Sequence, residues 1–371
     1  MYSCLHGQYS ASATIDNLNA DFERIRLQFH MPGLSGLAMK NGEIVGQGEA
    51  GFRRQGNPSS LLVTDRINIG SCSKWMTATV AGRLVDRGLI SWTTPIHTCF
   101  PNYTSFNCAF RSATLEQLLS HRAGIQQSTT FYARHYSELL AQNGTIRQIR
   151  RWVAETVMKD VPEVIPGEFL YSNQGYAVAA AMMEFVTNQD WESLVKQHIF
   201  DPLQMVNSSI GRVYDDIIPP KAPVGHNLRI NQTVPIPRPA DTASFLYHDQ
   251  AAAGPGGYIA STLSDWAKFL YAHINNNKTN YLSAETAAKL KHPYMGIEGY
   301  GLGINAYNRS WATPGQSLTH GGDIFGQDTV FWMAPSRGVV TVAYTNCDSE
   351  DDSESNALDA TANILLSRYV Y

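Results

Sequence analysis

Sheet-forming sequence stands at both ends of this 371-residue chain and helix-forming sequence lies between them, a layout that few architectures satisfy. Near the N-terminus, residues 14–30 set Ile15, Leu18, Phe22 and Ile25 among charged residues in a helical pattern that Pro32-Gly33 stops. Residues 34–39 and 43–52 read as two strands around Asn41-Gly42, a strong two-residue hairpin signal. Strand patterns return only after Gly254, over 256–261, 300–307, 317–320, 329–334 and 339–345, and a helix over 357–369 closes the chain. Between them, a capping box at Thr114-x-x-Gln117 and helical patterns over 132–142, 145–159, 175–187 and 191–200 predominate. Residues 211–250 are proline-rich and read as an irregular surface excursion, a lid or specificity loop.

The fold class expected is therefore α/β (α+β). Residues 1–75 and 254–371 would build one domain with an antiparallel sheet flanked by N- and C-terminal helices. Residues 76–253 would form an inserted, mainly helical domain, with the active site in the cleft between the two.

Composition narrows the function classes. Hydrophobic residues make up 43% of the chain, enough for sizeable cores. A net charge of −4 gives no electrostatic footprint for nucleic acid, and no apolar run is long enough to span a membrane. Five cysteines without zinc-like spacing imply neither a metal nor a disulfide scaffold, and no cofactor is expected. Cys99 and Cys108 could close a loop, and six sequons stand at Asn102, Asn143, Asn207, Asn231, Asn277 and Asn308. Together they tilt the expectation toward a secreted protein with its leader removed, the alternative being a cytoplasmic one.

The chemistry is carried by Ile67-Asn68-Ile69-Gly70-Ser71-Cys72-Ser73-Lys74. A short β-branched segment ends at Gly70, and a helix begins at once, with Ala78, Ala81, Leu84 and Val85 on one face. Ser71 and Lys74, three residues apart, point the same way from its first turn. A lysine with a lowered pKa can take the serine proton, and the helix N-terminus favours developing negative charge. The same tetrad at Ser193–Lys196 reads as a solvated helix face. Gly46-x-Gly48-x-x-Gly51 precedes no helix and fails as a dinucleotide fingerprint.

Two further motifs give the tetrad its context. Tyr171-Ser172-Asn173 follows Ser71 by 100 residues, and His320-Gly321-Gly322 follows Tyr171 by 149. With Leu118–Gly124, Pro166-Gly167-Glu168, Pro202-Leu203 and 257–262, the set resembles the serine β-lactamase and penicillin-binding-protein superfamily over nearly the whole chain. Within it the resemblance is to the class C-like branch, which includes family VIII esterases, D-aminopeptidases and transesterases. It implies a β-lactamase/transpeptidase-like fold, a nucleophile at Ser71 and an acid/base pair of Lys74 and Tyr171, with the base left open between them. A phenol becomes a base only where cations depress it, and Lys74 would supply that cation. Asn173, His320, Gly321 and Gly322 would bind substrate, and the backbone N–H groups of Ser71 and Asp323 would form the oxyanion hole.

Dedicated β-lactamases of the branch carry Lys-Thr-Gly where this chain has His-Gly-Gly, so the fixed cation for a lactam carboxylate is missing. The expected function is a serine hydrolase forming an acyl-enzyme, most of all an esterase or amidase acting on a neutral or zwitterionic small molecule. The alternatives are a β-lactamase, a D-amino-acid peptidase, an acyltransferase or an inactive binding scaffold. A G-x-S-x-G esterase is excluded because the pentapeptide is absent.

Overall fold

The computed structural model describes residues 14–213, 218 and 220–370. An eight-stranded sheet runs in the spatial order Asp16–Asn17, Glu43–Gly51, Gly33–Lys40, Val339–Thr345, Gln327–Ala334, Ser317–Ile324, Asn305–Tyr307 and Gly299–Tyr300. Every neighbouring pair is antiparallel except the short edge pair of Asp16–Asn17 with Glu43–Gly51. The N-terminal hairpin and the C-terminal meander meet along Gly33–Lys40 and Val339–Thr345, with Leu37 opposite Val342. The two ends of the chain thus share one sheet, as the distribution of strand patterns implies.

Both faces of that sheet are covered, which is why Val339–Thr345 reads as a continuous apolar run. Alternation divides it: Val340, Val342 and Tyr344 join a core with Trp75, Trp266, Phe269 and Phe331. Val339 and Ala343 join a second core with Phe22 and Ile25 of the Asn19–Gln28 helix and with Leu358 and Leu365 of the Ser353–Tyr369 helix. The first helix is shorter than its periodicity suggests, because Leu18 N–H is taken by Gln47 O at the sheet edge (2.9 Å).

The helical layer centres on Asn173–Thr187, where every residue from Gln174 to Glu184 is buried. A helix apolar on all sides must lie inside, and this one packs against Ile146–Lys159 and Ala243–Gly257. The charged group within this packing is Arg150, fully buried and paired with both Glu184 and Glu192.

Three expectations are corrected. Residues 256–261 were read as a strand, but the Ala243–Gly257 helix runs through Gly256 and only Ile259–Ser261 is extended. Pro255 is accommodated near the end of that helix, where its own carbonyl accepts from Thr77 Oγ1 at 2.7 Å instead of continuing the ladder. Residues 211–250 are not irregular throughout, since this helix starts at Ala243 with Thr242 as its N-cap (Phe245 N to Thr242 Oγ1, 3.1 Å). Cys99 and Cys108 are both free thiols; Cys99 faces the core and Cys108 faces solvent, so their side chains diverge.

Replacing Arg150 with Leu strands two carboxylates in the helical layer. Urea unfolding is expected to show a loss of about 3–5 kcal/mol, the usual cost of removing one partner of a buried ion pair.

Candidate active site

Ile67–Asn68 pairs with Ala260–Ser261, and Ile69 N–H donates to Ile259 O at 3.0 Å. The chain then turns at Gly70, where φ is +50°, into a 3₁₀ turn over Gly70–Cys72 that runs directly into the Ser73–Asp86 helix. This turn is pressed against the Ser317–Ile324 strand. A Cβ on Gly70 would lie 2.7 Å from the Asp323 nitrogen, and one on Gly322 would lie 2.2 Å from Ile69 O and 3.0 Å from the Ser71 nitrogen. Only paired glycines permit so close a backbone approach. Thr329 Oγ1 secures it from the next strand, 3.1 Å from both Ile69 O and Gly322 O, and Cys72 Sγ donates to His320 O at 3.3 Å.

The first helical turn clasps a second segment. Ser73 Oγ accepts from Ile259 N–H at 3.1 Å, and Thr77 Oγ1 donates to Pro255 O. Between them Lys74 is completely buried, its Nζ 3.0 Å from Ser71 Oγ, 2.6 Å from Asn173 Oδ1 and 2.7 Å from Gly256 O. Burial holds its amine well below the usual lysine range. Ser71 itself is half-buried.

Tyr171 packs beside this amine, which lies 4.6 Å from the centre of its ring. The expected depression of the phenol by Lys74 is not what the geometry produces. Burial pushes Tyr171 above the usual phenol range, a hydrogen bond with Ser71 offsets part of that, and the amine that was to act as cation is itself driven toward neutrality.

Asn173 opens its helix under the Ser172 cap, whose Oγ accepts from Gly175 N–H at 3.1 Å. Its Nδ2 donates to Ser128 Oγ (3.1 Å), and Ser128 donates on to Gln174 Oε1 (3.0 Å). Ser172 N–H donates to His121 Nδ1 at 3.1 Å, which places the His121 proton on Nε2, 3.1 Å from the Tyr300 hydroxyl. Tyr300 then donates to His320 Nε2 at 3.2 Å, leaving His320 Nδ1–H for Gly321 O. Burial, with Lys74 nearby, lowers His320 to about 4, so it is neutral at physiological pH. Asp323 ends the same motif. Burial, followed by the charge of Asp348, raises its carboxyl to about 6, against the opposing pull of Arg238.

The structure thus brings Ser71, Lys74, Tyr171, Asn173, His320, Gly322 and Asp323 into one neighbourhood, and Gly321 follows on the same strand. Ser193 and Lys196 stay apart on the surface, tied instead to Asp190 and Asp201. Sequence reasoning missed Ser128, Tyr300 and the Gly256 carbonyl. Tyr300 had a signal in its Gly301-x-Gly303 neighbours: Gly303, at φ +81°, backs onto Lys74, where a Cβ would lie 2.7 Å from the Lys74 carbonyl carbon.

Comparison with known proteins agrees with this geometry. The Beta-lactamase family model matches residues 12–365. The chain belongs to the beta-lactamase family. It is accordingly a relative of serine hydrolases and penicillin-binding proteins. Penicillin-binding protein 4 of Amycolatopsis lactamdurans is 24% identical over 339 residues, covering 88% of this chain and 83% of that protein. The chain spans about half the length of two further curated relatives. Among solved structures, the D-amino acid amidase of Ochrobactrum anthropi SV3 superposes with a TM-score of 0.70 at 18% identity, covering 94% of this chain and 99% of that one. EstCE1, described as a hydrolase with promiscuous acyltransferase activity, gives 0.72 at 17% identity, covering 92% and 97%. Both show that this beta-lactamase-family chain has the fold of that group.

The His320 imidazole is expected to stay uncharged from about pH 5 upward, because its midpoint of about 4 lies below the ordinary histidine value. NMR titration of its ring protons checks this; a midpoint near the ordinary value would contradict it.

Proposed function

We propose that this beta-lactamase-family protein is an esterase or amidase that works through an acyl-enzyme on Ser71, with Lys74 as the base. The observation that carries the reading is the bonding of Lys74 Nζ. A neutral amine has two N–H donors and one lone pair. Asn173 Oδ1 and Gly256 O take the donors, and the lone pair faces Ser71 Oγ at 3.0 Å. Ser71 Oγ attacks the acyl carbon as its proton passes to Lys74 Nζ, forming a tetrahedral oxyanion. The N–H groups of Ser71 and Asp323 are the donors for that oxygen. Collapse expels an alcohol or amine, which takes a proton delivered by way of the Tyr171 hydroxyl. Water repeats the sequence on the acyl-enzyme and frees the acid. A phenol raised by burial suits the acid side of this pair better than the base side.

The substrate class follows from charge. His320 is neutral, the Asp323 carboxyl stands beside the oxyanion position, and among the described residues no Lys or Arg lines the cavity in front of Ser71. A carboxylate-bearing lactam finds no fixed partner there, whereas a neutral or amine-bearing ester or amide does not need one. The printed names of the structural neighbours, a D-amino acid amidase and a hydrolase with acyltransferase activity, are in keeping with this class.

Wild-type protein is expected to turn over p-nitrophenyl butyrate, and Ser71→Ala to abolish that turnover. Nitrocefin is expected to be cut slowly. Rapid nitrocefin cleavage, or equal ester rates in wild type and mutant, would sink the proposal. Because burial holds the Lys74 amine well below the usual lysine range, kcat/KM should level off before the ordinary lysine value of about 10.4. A pH–rate profile that keeps rising to that value would point to a charged resting lysine.

A further inference from the structure

The cavity in front of Ser71 has a volume of about 160 Å³, room for about five waters at roughly 30 Å³ each. It therefore accepts a group of a few heavy atoms. Asn173 and Gly256 form the wall near Lys74, and Asp249 forms part of the wall contributed by the Ala243–Gly257 helix. Asp249 is 9% exposed, and its exposure is to this cavity. Its two oxygens each accept one hydroxyl, Oδ1 from Tyr132 and Oδ2 from Tyr258, and both tyrosines also line the cavity.

This carboxylate lacks what buried carboxylates ordinarily have. Arg150 is shared by Glu184 and Glu192, and Arg53 pairs with Asp65, but among the described residues no Lys, Arg or His forms an ion pair with Asp249. The charge acting on it is that of Asp241, of the same sign, and Arg212 is turned to Asp241. Asp323, on the opposite element, adds a second carboxyl to the cavity wall. Two tyrosine O–H donors occupy one lone pair on each Asp249 oxygen and leave the others free. Burial raises this carboxyl above the usual carboxylate range, a cost that a cation beside it would relieve, and the group lines the same cavity as Ser71.

We propose that Asp249 is a specificity residue that receives a protonated amine on the acyl part of the substrate, so that the preferred substrates are small aminoacyl amides or esters with a free amino group. The inference rests on the acyl-enzyme reading above. Tyr132 and Tyr258 hold the carboxylate in place and supply no charge, and the ammonium group of the substrate completes the ion pair. N-acylation of that amine removes the charge and adds bulk, and both changes work against entry. A cavity of this volume has room for a small acyl side chain such as alanine's. A wider channel in front of the serine would have left this pairing without selectivity.

The test compares p-nitroanilides of alanine, in both D and L forms, with the p-nitroanilide of isobutyric acid, in which a methyl group replaces the ammonium. Wild-type protein is expected to favour one alanine form by about tenfold or more in kcat/KM, carried mainly by KM. Asp249→Asn keeps the shape and removes the charge, and should collapse that ratio toward one. Equal use of both acyl groups by wild type, or a ratio that Asp249→Asn does not change, overturns the proposal. Should Asp249→Asn fail to fold, wild-type p-nitrophenyl butyrate turnover is measured with alaninol or isobutanol as inhibitor. Inhibition by alaninol alone is expected, and equal effects of the two overturn the proposal. Ser71-dependent ester turnover without aminoacyl preference rejects this inference alone; absence of Ser71-dependent turnover rejects the acyl-enzyme reading as well.

Discussion

The site is organised around one buried nitrogen. Lys74 Nζ has no access to water, and its three partners come from three separate segments: the Ser71 turn, the start of the Asn173–Thr187 helix and the end of the Ala243–Gly257 helix. A buried amine left unsatisfied is costly, so each of those segments is constrained to arrive at hydrogen-bonding distance. Gly256 shows how tight the convergence is: a Cβ there would lie 2.9 Å from Asn173 Oδ1 and 3.3 Å from Lys74 Nζ. The same burial that imposes this geometry also lowers the amine's basicity into a range useful for proton transfer.

A second constraint acts on the backbone. Gly70 and Gly322 let the serine turn and the Ser317–Ile324 strand approach until the Asp323 and Ser71 nitrogens stand near one another. The strand is held at that distance by Thr329 from the next strand and by Cys72 from the serine turn, and its His320 is linked through Tyr300 to His121 in the helical layer. This hydrogen-bonded run crosses from the sheet to the segment just ahead of Tyr171. It uses neutral imidazoles throughout, because burial lowers both histidines.

Charge then distinguishes this cavity from one with a lysine at the third motif, where this chain has His320. His320 is neutral, Asp323 and Asp249 line the cavity, and Lys74 is buried beside the serine. The fold leaves such choices open, since the same sheet and helices can carry different groups at the rim. The family fixes the fold around Ser71, and this chain's own residues form the wall of the cavity in front of it.

The order of strands and helices was legible in the sequence because its causes are local. Asn41-Gly42 makes its hairpin, Thr114 and Thr262 cap their helices, and Val339–Thr345 reads as a strand buried on both faces. Ser71, Lys74, Tyr171, Asn173 and His320 were legible too, since each stands in a short motif of fixed spacing. Other features depended on segments far apart in the chain. Gly256 looked like the start of a strand, and only the Thr77 hydroxyl on Pro255 O and the Lys74 amine on Gly256 O show why the helix continues there. Tyr171 looked like a phenol depressed by a cation until burial was seen to act on both partners. Asp249 stands in the polar run His248-Asp249-Gln250 of its helix, a signal that means nothing until Tyr132, Tyr258 and Ser71 are seen around the same cavity. Sequence alone determined that Ser71 stands beside Lys74, because three-residue spacing on one helical turn points both side chains the same way. Tertiary structure decided their surroundings, because desolvation and the cavity wall exist only once distant segments have packed.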